Sequence, residues 1–251
     1  MVTVTRRVAA RPRDYVRVAG PDAADFLQRM LSNDVEQAPC RAMLLTPKAR
    51  LIAPLVVVRR GEDDFLLLTE PGLGDAVSSA LLRAKFAAKV EIAPEEHVSV
   101  IALGEEGGIP NDELGEPGAE LLDNDAEPTL SESESERLRI EGARPAWGKE
   151  LDDSILPAEA GLDETHVSFT KGCYPGQEPI ARLRYRGKVN RGLRVVEVEG
   201  AAPGDEIRYG DKAVGRVTSA VDDRALGYVR VEVPAEAEVS VGGKTGRTLS
   251  P

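Results

Sequence analysis

The sequence predicts an α+β protein, with a mixed body over residues 1–192 and a small β-barrel or sandwich over 193–251. Three observations lead there. The first hundred residues run β-α-β-β-β-α-β, an order suited to an antiparallel sheet and not to an alternating parallel one. Two of those segments, around 23–31 and 77–88, repeat apolar residues at helical spacing. After residue 192, short strands separated by Gly-Asp and Asp-Asp turns succeed one another closely, the pattern of a small all-β unit.

Each element has its own local cause. Tyr15 to Val18 alternates apolar and polar residues as a half-buried strand does. Gly20-Pro21-Asp22 opens a helix, with proline suited to a first turn. Ala23, Phe26, Leu27, Met30 and Leu31 then form one buried stripe, which Ser32-Asn33-Asp34 ends. Met43 to Thr46 and Leu51 to Arg59 are strands, and Pro54 marks the second as bulged or at an edge. Asp63-Asp64 turns into the strand Phe65 to Thr69, and Pro71-Gly72 breaks it. A helix is expected over Asp75 to Lys89, with Val77, Ala80, Leu81, Ala84 and Ala88 inward, and a strand over Val98 to Leu103. Residues 104–128 carry many Gly, Pro, Glu and Asp and are expected to be irregular surface. The run Ser131 to Glu136 leads into Arg137-Leu138-Arg139-Ile140 and forms the first turns of a helix, since acids suit a helix N-terminus. The last unit holds five strands: Leu193–Val198, Glu206–Tyr209, Ala213–Thr218, Ala225–Val231 and Glu238–Val241.

Charge narrows the function. The chain has 251 residues, 43 acidic and 32 basic side chains, and a net charge of −11. So acidic a protein repels phosphate backbones at long range, which argues against nucleic acid as a partner. Met1 to Val8 lacks the apolar core of a signal segment, and no apolar run approaches the ~20 residues that span a bilayer. The expectation is a soluble, cytoplasmic monomer, since no element carries an exposed heptad stripe. Two cysteines, Cys40 and Cys173, make no disulfide framework, no zinc-type spacing occurs, and His97 and His166 stand isolated at surface or helix-end positions.

The most informative stretch is Lys171-Gly172-Cys173-Tyr174-Pro175-Gly176-Gln177-Glu178. It holds a cysteine in a glycine- and proline-bounded turn, beside a cation that favours the reactive thiolate. On its own the octapeptide equally fits a small buried cysteine. The neighbouring segment shifts the balance: Arg182, Arg184, Arg186, Lys188, Arg191 and Arg194 are six cations within thirteen residues. Positions 182, 184 and 186 alternate as one face of a strand would. They form either a solvated basic face or an anion site beside the cysteine.

Taken together these residues resemble the folate-binding YgfZ/GcvT superfamily, and its YgfZ branch in particular. Val18 to Gln28, Ser32 to Val35 and Leu45 to Ile52 resemble its N-terminal landmarks. Arg139-Ile140-Glu141, Trp147-Gly148 and Leu156 to Leu162 resemble the central signature shared with aminomethyltransferases, and Lys171 to Glu178 matches the branch motif. The resemblance implies a ring of three modules, two antiparallel-sheet α/β modules and a C-terminal β-barrel, around tetrahydrofolate or a one-carbon derivative. It implies that Glu141 contacts the pterin, whose paired N–H donors a carboxylate matches. Trp147 or Tyr174 would form an apolar wall. It also implies that Gly176, Gln177 and Glu178 lie at the cofactor, while charge alone suggests Arg182 and Arg184 for the glutamate tail. The implied role is support of iron–sulphur cluster assembly or repair in client enzymes, radical tRNA-modifying enzymes among them, with Cys173 as working thiol tuned by Lys171. Alternatives are a folate-dependent aminomethyltransferase, in which a carboxylate such as Asp75 would matter more than Cys173, and a non-catalytic folate-binding scaffold.

Overall fold

In the computed structural model, which describes residues 6–250, the chain forms two antiparallel sheets and a closed barrel. Residues 1–5, part of the N-terminal stretch assessed for a signal segment, lie outside the described residues. Strand β1 (Val8–Ala10) leads to β2 (Asp14–Ala19), helix α1 (Ala23–Met30), and strands β3 (Cys40–Leu45), β4 (Leu51–Arg59) and β5 (Asp64–Thr69). Helix α2 (Gly74–Ala84) and strand β6 (Glu91–Glu95) complete a first sheet of order β3-β4-β5-β2-β6. Strands β7 (Ser99–Leu103), β8 (Ile109–Asn111) and β9 (Gly118–Leu122) join β1 in a second sheet, β1-β7-β9-β8.

Burial explains the first sheet's composition. Val16, Val18, Leu55, Val57, Phe65 and Leu67 face α1 and α2, meeting Phe26, Leu27, Val77 and Leu81. Tyr15, Val56, Leu66 and Leu68 face the other way, onto Ile109 and Leu122 of the second sheet. Strand β5 is therefore buried on both faces, which is why Phe65-Leu66-Leu67-Leu68 is a continuous apolar run. Each of these side chains contributes about 1.5–3 kcal/mol by leaving water.

After helix α3 (Glu132–Glu141), the short α4 (Leu162–Thr165) and α5 (Gln177–Arg186), six strands close a barrel. They are β10 (Arg191–Glu197), β11 (Glu206–Tyr209), β12 (Lys212–Val221), β13 (Arg224–Arg230), β14 (Glu238–Val241) and β15 (Lys244–Thr248). Their inward residues, among them Val196, Ile207, Val217, Val229 and Val241, fill it. The α+β class with an antiparallel body and a terminal barrel is the one expected. Ser131 starts α3 with a capping box to Glu134, which gives the acidic run its helical role.

Several expected elements differ. Residues 182–186 form a helix and not a strand. Gly176 enters left-handed at φ 84°, Pro179 fits the first turn, and Ile180 packs inward, so alternate arginines do not share one face. Helix α2 stops at Ala84, five residues short of Lys89, with Phe86 beyond it at φ 41°. Strand β4 is internal, not an edge, but it is bulged, the alternative expected of it: its register with β3 skips Ile52. Pro54 sits where the β5 ladder has already ended, so its missing N–H costs no bond on that side. Residues 104–128 contain β8 and β9, paired to each other, with β9 also paired to β7.

Candidate functional site

The first sheet, the segment carrying α4 and α5, and the barrel meet on a second core. Met43, Leu45 and Leu51 of the β3–β4 hairpin pack with Leu151, Leu162, Tyr174, Ile180 and Tyr228. The hairpin turn closes through the Thr46 N–H donating to Arg50 O at 2.9 Å and the Ala49 N–H to Thr46 O at 2.9 Å. The Lys171–Glu178 turn lies directly upon it. A β-carbon on Gly176 would stand 2.8 Å from Thr46 O and 3.0 Å from the Ala49 Cα, so only glycine lets the two turns touch. Tyr174 is buried, and Cys173 beside it is exposed as a free thiol.

Lys171 sets where the turn lies. Its ammonium donates to Leu31 O at 2.8 Å, Asn33 O at 2.7 Å and, at 3.4 Å, Gln28 Oε1. Those three acceptors, at the carboxyl end of α1 and just beyond, occupy all three donors of the group. None is left to hydrogen-bond Cys173, and these three bonds anchor the turn to α1. Burial lowers the Lys171 ammonium to about 8, opposed by Asp34 and Cys40. The second cysteine is shut off: burial, then Asp34, pushes the Cys40 thiol up to about 11, with Lys171 pulling the other way. It therefore stays protonated, and Cys173 is the presented one.

Beside these turns opens a cavity of about 790 Å³ lined by Thr46, Pro47, Lys48, Arg50, Leu51, Ile52, Trp147, Asp152 and Asp153. Trp147 supplies an aromatic wall, Asp152 and Asp153 carboxylates, and Lys48 and Arg50 positive charge. Hydrogen bonds from Ser154 hold the Asp152 carboxyl below the usual carboxylate range.

The sequence-derived residues are thus partly dispersed. Trp147 lines the cavity, and Tyr174 and Gly176 form its neighbouring turn. Gln177 and Glu178 begin α5. Glu141, the last residue of α3, is exposed and not among the lining residues, ion-paired with Arg137 at 3.0 Å and Arg224 at 3.6 Å. Arg182 is exposed on α5, and Arg184 pairs with Asp163 at 3.6 Å and lies 5.3 Å over the Phe169 ring. Asp75 lies in the first turn of α2 and lines a separate cavity of about 690 Å³ with Arg13, Tyr15 and His97. Among the described residues no cluster of three or more His, Cys, Asp or Glu is arranged to hold a metal ion.

The central carboxylate that sequence reasoning missed is Glu150. It is 1% exposed and accepts from Arg139, Ser219, Thr218 and the Ala146 N–H at 2.6–3.0 Å, while Tyr228 donates to its carbonyl at 2.8 Å. With both oxygens saturated, Glu150 ties α3 to the barrel and has no capacity left for a ligand. Its position three residues after Trp147 carries no hint of this, because its partners on the barrel lie some seventy residues away.

Residues 190–251 match the family model for the CAF17 C-terminal β-barrel domain. An uncharacterised protein of Haemophilus influenzae is 29% identical over 82% of this chain and 81% of its own length. The tRNA-modifying protein YgfZ of Edwardsiella ictaluri is 28% identical, covering 71% of this chain and 66% of its own. The mouse mitochondrial iron-sulfur cluster assembly factor IBA57 is 26% identical, covering 79% and 68%. The aminomethyltransferase T of the Bartonella henselae glycine cleavage system superposes with a TM-score of 0.78 at 19% identity, covering 98% of this chain and 85% of its own. Together these matches and the shared fold support the YgfZ/GcvT superfamily for this chain. Within that fold, the junction of the first sheet, the α4–α5 segment and the barrel brings the motif turn, the hairpin and the Trp147 cavity together.

Proposed function

We propose that this YgfZ/GcvT protein is an accessory factor in iron–sulphur cluster assembly or repair that binds tetrahydrofolate or a one-carbon derivative. The observation that carries this is the pairing of an exposed, anchored Cys173 turn with the adjacent Trp147 cavity. Names of the relatives support the first half of the reading: one is an iron-sulfur cluster assembly factor, another a tRNA-modifying protein.

The cavity's chemistry fits a folate. Its volume is in the range of small-molecule sites, Trp147 grips an aromatic face, and Asp153 or Asp152 matches the donor pair of a pterin. Lys48 and Arg50 meet the negative tail, a role that suits them better than Arg182 and Arg184 on the outer helix. The Cys173 thiolate gives a sulphur lone pair to an iron of the client's cluster and withdraws it when the cluster moves on. One cysteine cannot hold a cluster alone, so the partner supplies the other ligands. Two thiols without a disulfide suit a reducing compartment such as the cytoplasm.

The test is calorimetric titration of tetrahydrofolate into wild type, Trp147→Ala, Asp153→Asn and Glu141→Ala. Loss of binding in the first two variants with retention in the third is expected. Loss in Glu141→Ala alone would move the pterin to the α3 end, and no binding by wild type would remove folate from the reading. If Asp75→Asn abolished a folate-dependent one-carbon transfer, the aminomethyltransferase alternative would take its place.

A further inference from the structure

The outer face of α5 has no role in the cavity. Arg182 and Arg186 are exposed one helical turn apart, and Lys188 comes just beyond the helix end. Among the described residues none of the three has a carboxylate at ion-pair distance, although Arg184 and Arg191 beside them are paired with Asp163 and Glu159. Tyr185 stands between the arginines, 70% exposed, its ring edge against Phe169. One acid shares this face, Glu178 in the first turn.

We infer that this face is a docking surface for the acidic side of a partner protein, oriented so that the partner meets Cys173. The inference rests on the proposed role of Cys173 as the working thiol. Two arguments favour a protein surface over a small anion. The cations run in a row from Arg182 through Arg186, about 6 Å along the helix, to Lys188 beyond its end. They do not converge on a point as donors for a small anion do. An exposed tyrosine among arginines is also the composition of an interface hot spot. The partner's sign comes from charge: a chain of net charge −11 repels an acidic protein on the whole, and a local basic patch is where such a partner is attracted. The patch therefore orients the approach. Cys173 lies at the amino-terminal end of the same helix, four residues before Gln177, so docking along α5 carries the partner to the thiol.

The experiment measures mixed-disulfide formation between Cys173 and a synthetic fifteen-residue glutamate-rich peptide carrying an activated disulfide. A matched peptide with glutamine for glutamate is the comparison, in a Cys40→Ser background. The acidic peptide should react about tenfold faster at low salt, and the advantage should vanish in about 1 M salt, where the screening length is ~3 Å. It should also vanish in the variant Arg182→Glu/Arg186→Glu/Lys188→Glu, while neutral iodoacetamide labels Cys173 equally in both proteins. Equal peptide rates, or an advantage that survives charge reversal, would overturn the inference. So would an equal gain by the small dianion dithiobis(nitrobenzoate), which would make the patch a local field without an extended dock. Sluggish iodoacetamide labelling with charge selection intact would remove the thiol's role and leave the docking face standing.

Discussion

Gly176 satisfies two demands at once, a left-handed φ of 84° and the approach of the Thr46 carbonyl. Gly172, four residues earlier in the same motif, has no positive φ, and a β-carbon placed on it would meet no atom within 4 Å. The two glycines look alike in sequence and differ in cost. Gly176→Ala should lower stability by about 1–3 kcal/mol through strain and contact together, and Gly172→Ala should leave it nearly unchanged. Denaturant midpoints of the two variants check this; equal midpoints would mean that the motif turn does not rest on the hairpin. At this scale the residues that matter around Cys173 are legible in sequence, but the direction of Lys171 is not. Its partners are main-chain carbonyls and a glutamine more than a hundred residues away, and carbonyls leave no residue-type signature. Local sequence can couple Lys171 only to its neighbour Cys173, whereas the fold brings it to Cys40 and the end of α1.

Helices show the same division between local and distant causes. Helix α3 is legible because its start is local: Ser131 and Glu134 cap one another three residues apart. Helix α5 is disguised because basic residues at alternate positions mimic strand periodicity; the decisive residues are Ile180, which faces the junction core, and Gly176, which turns the chain into the helix. The two carboxylates around α3 carry opposite expectations for mutation. Glu141→Ala removes the surface ion pairs to Arg137 and Arg224, each of which keeps other carboxylate partners. It should scarcely alter stability, which is why it serves as a clean binding variant. Glu150→Ala strands the Arg139 guanidinium between α3 and β12 with Glu136 as its remaining carboxylate partner. Breaking a buried pair of this kind costs about 3–5 kcal/mol. The barrel should then loosen from α3, seen as hydrogen exchange rising in β12 and α3 before it rises in β2 or β5. A uniform rise across the chain would mean that Glu150 does not act as the local tie.

Between modules, the most telling group is His166, which sequence alone sets at a surface or a helix end. It is at a helix end, capping α4, but only 9% exposed, and its carbonyl accepts from Ser32 Oγ at 2.6 Å. The buried ring faces Thr165 Oγ1 through Nδ1 at 2.8 Å, and the charges of Arg41 on β3 and of Asp112 and Glu113 in the β8–β9 connection act on it. Burial first, then Arg41, lowers the ring to about 4 from an ordinary 6.5. The folded protein therefore prefers the neutral ring, and the unfolded chain takes up the proton first. Stability from this group is complete above pH 6.5 and is lost as pH falls toward 4, at a slope approaching 1.4 kcal/mol per pH unit. His97 has the opposite sign. Its two ring nitrogens face Asp123 at 2.7 Å and Glu95 at 2.9 Å, and these raise its pKa against desolvation. Its contribution is complete below its ordinary range and fades as pH rises through the raised value. Denaturation midpoints from pH 7 to pH 4 separate the two. His166→Gln should flatten the acid slope, and His97→Gln should leave that slope in place. A slope unchanged in His166→Gln would assign acid sensitivity to the paired carboxylates instead. It would also mean that the ring is not sealed from water.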